Sequence, residues 1–267
     1  MQAQVTLTPA ESKKLIAQAT LAIPKVQNAL KNGLLVMHPS SSTLFIYEML
    51  FGKLPEGLWI CGCITNEGLS ASRESKEMTR DMKEGTHDPR KSFRHSFFID
   101  CGKLQPLTPI GEILDKMGEG DVYIKGANAV DVHGNTAVLF GEPHGGGGIV
   151  GAVQTAQKAN GFTILMLAGL EKLIPGFITD ACRAADRKAG LVMGMPCGLY
   201  PVKGEKIDEV DAIRILCGAT AHPIGAGGLN GAEGSIVLAI DGDDDTVLKA
   251  FKLVEGVKGA RLPEIEL

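Results

Sequence analysis

Short, uninterrupted apolar segments alternate with helical segments along most of this chain. The apolar segments include LLVM, SFFIDC, DVYIKGA and FTILMLAG. A strand that is buried on both faces has a continuous apolar sequence, and its alternation with helices is typical of α/β domains. We therefore predict an α/β domain with a mainly parallel sheet and helices on both of its faces.

The pattern changes after Pro196. The segments that follow are GLYPV, IDEVDAIRILCG, ATAHPIGAGG, GSIVLAIDG, DDTVLKAFKLVEGVKG and ARLPEI. Their predicted order is βαββαβ, the ferredoxin-like α+β arrangement. We therefore expect an α/β domain over residues 1–196 that carries the functional site, and a ferredoxin-like subdomain over residues 197–267. Residues 66–94 are rich in charge, which predicts a surface segment. This segment is either a solvated connection or a lid over the functional site.

Bulk composition excludes some classes of function. A net charge of −4 and an aromatic content of 5% give no basic or base-stacking surface, so we expect no nucleic-acid partner. No apolar run is long enough to span a bilayer and no secretory signal is visible, so we expect a cytoplasmic protein that does not contact membranes. The six cysteines include Cys61 and Cys63 but no C-x-x-C pair, which favours core thiols over a metal site.

Residues 121–153 are the most informative stretch for function. A predicted strand ends in Lys125, Asn128 and Asp131, and four glycines, Gly145, Gly146, Gly147 and Gly148, then open a helix. Backbone N–H groups at a glycine-rich helix N-terminus suit an anion, most often a phosphate. The hydroxyl groups of Ser40, Ser41, Ser42 and Thr43 precede another helix and offer a second set of ligand contacts, although one of them caps that helix.

Four side chains are candidates for catalysis. Lys125 would pair with phosphate or carboxylate, or form an imine, unless it simply extends to water. Asp131 is a general acid/base or a residue that stabilises a turn. Glu142 and His144 form the best acid/base pair, with a hydrogen-bonded turn as the alternative. Asn128 can orient a substrate oxygen but cannot transfer a proton at neutral pH.

The segment KGANAVD, with the following strand and glycine run, resembles the DGADEVD…KGGGG region of ribose-5-phosphate isomerase. It also resembles the GAD-containing segment of the methylthioribose-1-phosphate isomerase and initiation-factor 2B group, and HGNTAVLFGEP is similar to DGHIAFNEP of glucosamine-6-phosphate deaminase. These proteins form one superfamily with the CoA transferases. The resemblance implies a Rossmann-like sheet with the site at its strand ends and Ser40–Thr43 as a phosphate-binding turn.

The chain departs from the isomerase motif at three positions, where Lys125, Asn128 and Ala129 replace acidic residues and Asp131 is retained. The resemblance implies an enzyme that isomerises a small phosphorylated or carboxylated metabolite through an enediol. Two alternatives stay open: a non-catalytic ligand sensor or structural subunit of the same superfamily, and an acyl or CoA transferase that uses Glu142. We expect a homo-oligomer without a metal or other cofactor.

Overall fold

The computed structural model describes residues 1–55, 60–71, 96–106, 108, 110–141, 148–185 and 189–262. The helices are α1 (Pro9–Ala22), α2 (Pro24–Asn32), α3 (Thr43–Phe51), α4 (Ile110–Lys116), α5 (Gly148–Asn160), α6 (Ile178–Ala184), α7 (Glu209–Cys217) and α8 (Asp244–Val257). The strands are β1 (Gln2–Leu7), β2 (Leu34–Met37), β3 (Cys61–Thr65), β4 (Gly68–Ala71), β5 (Phe97–Asp100), β6 (Lys103–Leu104), β7 (Val122–Gly126), β8 (Ala129–Val130), β9 (Thr136–Phe140), β10 (Thr163–Leu167), β11 (Gly198–Val202), β12 (Glu205–Ile207), β13 (Thr220–Gly227) and β14 (Ser235–Asp241). A short 3-10 helix, Leu170–Lys172, follows β10.

The central sheet has six strands in the order β12-β10-β7-β2-β5-β6. The pairs β12–β10, β10–β7 and β7–β2 are parallel, whereas β5 and β6 are antiparallel. The predicted α/β class with a mainly parallel sheet is therefore confirmed. The parallel strands β2, β7 and β10 are buried on both faces, which explains their continuous apolar sequences, whereas the edge strand β12 is partly exposed.

Two apolar cores lie on opposite faces of this sheet. One joins Ile124 and Leu167 to helices α1, α2, α3, α7 and α8. The other joins Tyr123 and Met166 to helices α4 and α5. Successive residues of β7 and β10 enter different cores because side chains alternate along a strand. Helices cover both faces, as predicted.

A separate three-stranded sheet has the order β1-β14-β13 and is antiparallel. One of its strands therefore comes from the N-terminus. Strand β11, which the sequence placed in the C-terminal ferredoxin-like unit, instead pairs with β9, and β12 belongs to the central sheet. The final segment expected as a strand, ARLPEI, lies outside the described residues from 263 onward.

Local signals had mixed outcomes. Helix α1 begins with the predicted capping box, in which Thr8 and Glu11 each accept a hydrogen bond from the other's backbone N–H. Gly33 follows α2 at a position typical of a left-handed residue, but its φ is −148°, so its backbone is extended and this expectation is wrong. A Cβ there would lie 2.5 Å from Asp121 Oδ1, so Gly33 permits a close approach instead.

Candidate functional site

The carboxyl ends of the parallel strands form one edge of the central sheet. Within this sheet, the next strand after β2 in sequence is β5, which lies on one side of β2, whereas β7 lies on the other side. The chain connections that leave the neighbouring strands β2 and β7 therefore run in opposite directions. In open α/β sheets, ligands bind in the crevice outside the carboxyl ends of the strands at such a point. The segments that border this crevice are residues 38–43 after β2 and residues 125–128 at the end of β7.

Ser40 and Thr43 cap helix α3. Ser40 Oγ accepts a hydrogen bond from the Thr43 N–H at 3.2 Å, and Thr43 Oγ1 accepts one from the Ser40 N–H at 2.9 Å. Thr43 Oγ1 also donates to the His38 carbonyl at 2.7 Å. The capping role that the sequence left open is thus present, and it fixes the turn that follows β2.

The same turn packs against the end of β7. An added Cβ on Gly126 would lie 2.9 Å from Ser40 Oγ and 3.9 Å from Ser42 Oγ. Glycine at this position allows the two hydroxyl groups to approach the strand backbone. Ser42 is buried and Ser41 is part-exposed. The structure therefore brings the Ser40–Thr43 turn and the Lys125–Gly126 strand end together.

Lys125 lies on the face of the sheet that α5 covers. Its neighbours at alternate positions, Tyr123 and Ala127, share a core with Ile149 and Val150 from the first turn of α5. Helix α5 leads into β10, whose first residue bonds to Asp121 at the amino end of β7. The N-terminus of α5 therefore lies at the carboxyl edge. Lys125 and the start of α5 occupy the same face and the same end of the sheet.

Asn128 ties two strands together. Its Oδ1 accepts a hydrogen bond from the Leu139 N–H at 3.0 Å, and its Nδ2 donates to the Gly62 carbonyl at 3.1 Å. Both ends of the amide are therefore engaged by backbone groups of β9 and β3. The substrate-orienting role predicted for Asn128 would require one of these bonds to break.

Asp131 is the centre of a turn. Its carboxylate is 3% exposed and accepts hydrogen bonds from the backbone N–H groups of His133, Asn135 and Ile178 at 3.0, 3.0 and 3.2 Å, and from Asn135 Nδ2. Burial raises the pKa of Asp131, but these donors outweigh it and hold the pKa below its usual value. A carboxylate in this state is a weak base, so the geometry supports the turn-stabilising alternative.

The remaining predicted residues lie largely outside the described part of the chain. Glu142, His144, Gly145, Gly146 and Gly147 belong to residues 142–147, which the structure does not describe. Gly148 is the first residue of α5. The charged excursion is described only over residues 66–71, where strand β4 pairs with β3 in a hairpin.

Sequence reasoning missed a buried group of charges at the end of β10. We call it the Gly169 cluster, and its members are Ser12, Lys13, Glu171, Lys172 and Glu209. Lys13 Nζ lies 2.7 Å from Glu171 Oε1, and Glu209 Oε2 accepts a hydrogen bond from the Leu170 N–H at 2.9 Å. Helix α1, the 3-10 helix and α7 each contribute members. No short motif links them, so only the tertiary fold could reveal the group.

Burial dominates the titration of this cluster. Burial, together with the charge of Glu171, raises the pKa of Glu209 to about 7. Burial lowers the pKa of Lys172 to about 8. Burial also raises the pKa of Glu171, but Lys172 and Lys13 outweigh it, so the pKa of Glu171 is lowered. Groups that titrate near neutrality are concentrated at functional sites, although structural ion pairs produce them too.

Comparison with models of known protein families gave no match, and no curated protein matched the chain significantly. Within the described ranges, no three His, Cys, Asp or Glu side chains are grouped so that they could hold a metal ion. In the same part of the chain, no helix has both the length and the apolar character needed to cross a membrane.

Proposed function

We propose that this protein binds a small anionic metabolite, phosphorylated or carboxylated, in the crevice between the Ser40–Thr43 turn and the end of β7. The observation that carries the proposal is the packing of the Ser40 and Ser42 hydroxyls against Gly126 at the point where the strand connections diverge. Ligand crevices of open α/β sheets lie at this position. Hydroxyl groups and a neighbouring lysine are suitable partners for a phosphate or carboxylate.

Lys125 and helix α5 supply the positive potential in this proposal. The thirteen residues of α5 present the positive end of the helix dipole to the same edge that Lys125 occupies. An anionic group placed there would interact with the ammonium group and the first N–H groups of the helix. The Rossmann-like assignment belongs to the same proposal, supported by four parallel strands with helices on both faces. A ferredoxin-like C-terminal subdomain is proposed only in reduced form, without β11 and β12, supported by the antiparallel pair β13–β14 and the packing of helices α7 and α8 in the same core.

The reaction that we propose is an aldose–ketose isomerisation. A base removes a proton from the carbon beside the carbonyl, an enediol forms, and the proton returns to the former carbonyl carbon. Lys125 would stabilise the negative charge of the enediolate. The base is assigned to Glu142 or His144, since Asp131 accepts hydrogen bonds from four N–H donor groups and its pKa is lowered.

A ligand sensor without turnover is the second candidate. It is favoured by the engagement of Asn128 and Asp131 in bonds to the protein's own backbone. Asn128 and Asp131 then have structural roles. They would hold the turn after β7 rigid for ligand binding and would not transfer protons. Both candidates share the crevice and differ only in what happens to the bound ligand.

A thermal-shift screen with sugar phosphates, carboxylates and CoA thioesters tests the binding step. A ligand that binds the folded state raises the unfolding midpoint by mass action. We expect sugar phosphates or carboxylates to raise it in the native protein, with the shift abolished in Lys125→Met and retained in the exposed-site control Lys103→Met. An unchanged shift in Lys125→Met would refute the crevice, and a response to CoA thioesters alone would favour the transferase alternative.

Solvent exchange separates the enzyme from the sensor. In D₂O, an enediol mechanism exchanges a carbon-bound hydrogen of the sugar phosphate for deuterium, which mass spectrometry detects. We expect incorporation with the native protein and a loss of incorporation when the base is removed, in Glu142→Gln or in His144→Gln. Binding without any incorporation would refute isomerisation and favour the sensor.

A further inference from the structure

The Gly169 cluster contains two carboxyl oxygen atoms that lie on the same side of Gly169. An added Cβ on Gly169 would contact Glu171 Oε2 and would lie 3.2 Å from Glu209 Oε1. Both carboxyl groups therefore border the space that a side chain at this position would enter. Glycine leaves that space open, because a Cβ here would overlap the Glu171 carboxyl group.

Neither oxygen receives a hydrogen bond from the residues that the structure describes. Glu209 is fully buried, and its Oε1 and the Oε2 of Glu171 both lack a donor. Ser12 Oγ lies beside the Glu209 carboxyl group and likewise has no partner of good geometry. Buried polar atoms are nearly always paired in folded proteins, and a proton held between the two carboxyl groups would give both oxygens a partner.

We propose that Glu209 carries a proton at neutral pH, that it shares this proton with Glu171, and that the shared proton holds residues 169–178 in the position that the ligand crevice needs. This inference rests on the proposed function for its last step. It makes the Gly169 cluster a pH-sensitive lock, in which the protonated carboxyl group donates to the ionised one.

A proton fits these surroundings better than a metal ion does. The ammonium group of Lys13 is bonded to Glu171, and Lys172 lies close by, so a further cation would be repelled. Two ionised carboxylates in contact would also repel each other in a buried place. Burial and the charge of Glu171 raise the pKa of Glu209 to about 7, in agreement with the geometry.

The other charges near the start of α7 are already paired. Lys206 contacts both Asp208 and Asp211, and Arg214 contacts Asp211. Asp208 also caps α7 through a hydrogen bond from the Asp211 N–H at 2.9 Å. These groups neutralise one another beside Glu209, which leaves Glu171, Lys13 and Lys172 as the charges that face the lock.

Residues 169–178 connect the lock to the crevice. Ile174 N–H donates to the Val130 carbonyl at 2.9 Å, and Ile178 N–H donates to Asp131 Oδ2 at 3.2 Å. These bonds hold the turn at Val130 and Asp131, which follows Lys125 and Asn128. Loss of the shared proton would leave two negative charges that repel each other at Gly169. This repulsion would displace the segment that supports the turn.

Carbon-13 NMR of the glutamate carboxyl carbons tests the proton directly. The Glu209 resonance is assigned by its absence in Glu209→Gln, and Glu255→Gln serves as an exposed control. We expect Glu209 to titrate near neutrality, and to titrate at lower pH in Glu171→Gln because the neighbouring charge is removed. A Glu209 that is already ionised at pH 5.5 would overturn the proposal.

Hydrogen exchange, corrected for its intrinsic pH dependence, tests the mechanical link without any ligand. We expect the protection of Ile174 and Ile178 N–H to fall between pH 6 and pH 8.5 in the native protein and to stay constant in Glu209→Gln, whose amide mimics the protonated acid. Constant protection in the native protein would refute the lock.

Affinity for inorganic sulfate, whose charge does not change over this range, tests the last step. We expect it to weaken by about tenfold with rising pH in the native protein only. Native affinity that is the same at pH 6 and pH 8.5 would overturn this step of the inference. Titration and exchange as expected, with no sulfate binding at any pH, would refute the proposed crevice while the lock stands.

Discussion

Replacement of Glu209 by Gln gives the sharpest prediction for stability. Folding raises the pKa of this carboxyl group from an ordinary value of 4.5 to about 7. Between these two values the folded state binds more protons than the unfolded state. The stability that the proton contributes is therefore fully present below pH 4.5 and is lost as the pH rises through 7.

The magnitude follows from the same interval. At about 1.4 kcal/mol per pH unit, the proton contributes about 3 kcal/mol, and most of this is lost between pH 5 and pH 8. Glutamine at this position retains an acceptor for the Leu170 N–H and offers an N–H donor to Glu171, but it does not titrate. The stability of Glu209→Gln relative to the native protein should therefore increase by this amount over the same range.

Urea unfolding at pH 5, 6, 7 and 8 measures this difference, because titrations common to both proteins cancel. Glu255→Gln, an exposed substitution on α8, is the matched control and should show a constant difference from the native protein. A constant difference for Glu209→Gln as well would mean that Glu209 is ionised throughout, and the reasoning would be refuted.

Four further substitutions have defined expectations, each measured by urea unfolding. Asp131→Ala should cost about 3 kcal/mol because buried backbone donors lose their acceptor; a loss below about 1 kcal/mol would contradict the structural role. Gly169→Ala should lower the free energy of unfolding by about 2 kcal/mol because its methyl group would overlap Glu171. The control Gly256→Ala, in open space on α8, should raise it by about 0.5 to 1 kcal/mol. Equal effects of the two substitutions would refute the close approach at Gly169. Glu11→Gln should destabilise the protein at neutral pH. Burial raises the pKa of Glu11, but the hydrogen bonds from Lys258 and the backbone outweigh it and lower the pKa, so the stability difference from the native protein should shrink below pH 4.5. A stability difference that persists at low pH would contradict this.

Features encoded by neighbouring residues were predictable from the sequence. The capping box of α1 depends on Thr8 and Glu11, three positions apart, and the structure has it. The parallel strands were visible because burial on both faces demands continuous apolar runs, as in Thr163–Leu167. The place of the Ser40–Thr43 turn at the strand ends was implied only by the resemblance, not by the residues themselves.

Features that depend on distant contacts were not predictable. Glu209 follows a capping aspartate, so its sequence context indicates an ordinary acidic first turn, and only the approach of α1 and Glu171 makes it a buried acid. Strand β1 had a weak signal, since Val5 and Leu7 alternate with polar residues, but its partner lies at the opposite end of the chain. Asp131 kept its motif position, yet its role depends on Ile178.

The pairing of β1 with β14 also determines when folding can finish. Gln2 and Asp241, which are joined by a side-chain hydrogen bond, are separated by 239 positions. The ribosome releases β1 before β14 and must make the residues between them before the two strands can pair. During that time the apolar side chains of β1 have no sheet to join and are available to chaperones. Closure of the three-stranded sheet therefore waits for β14, and its speed is limited by the search between distant segments.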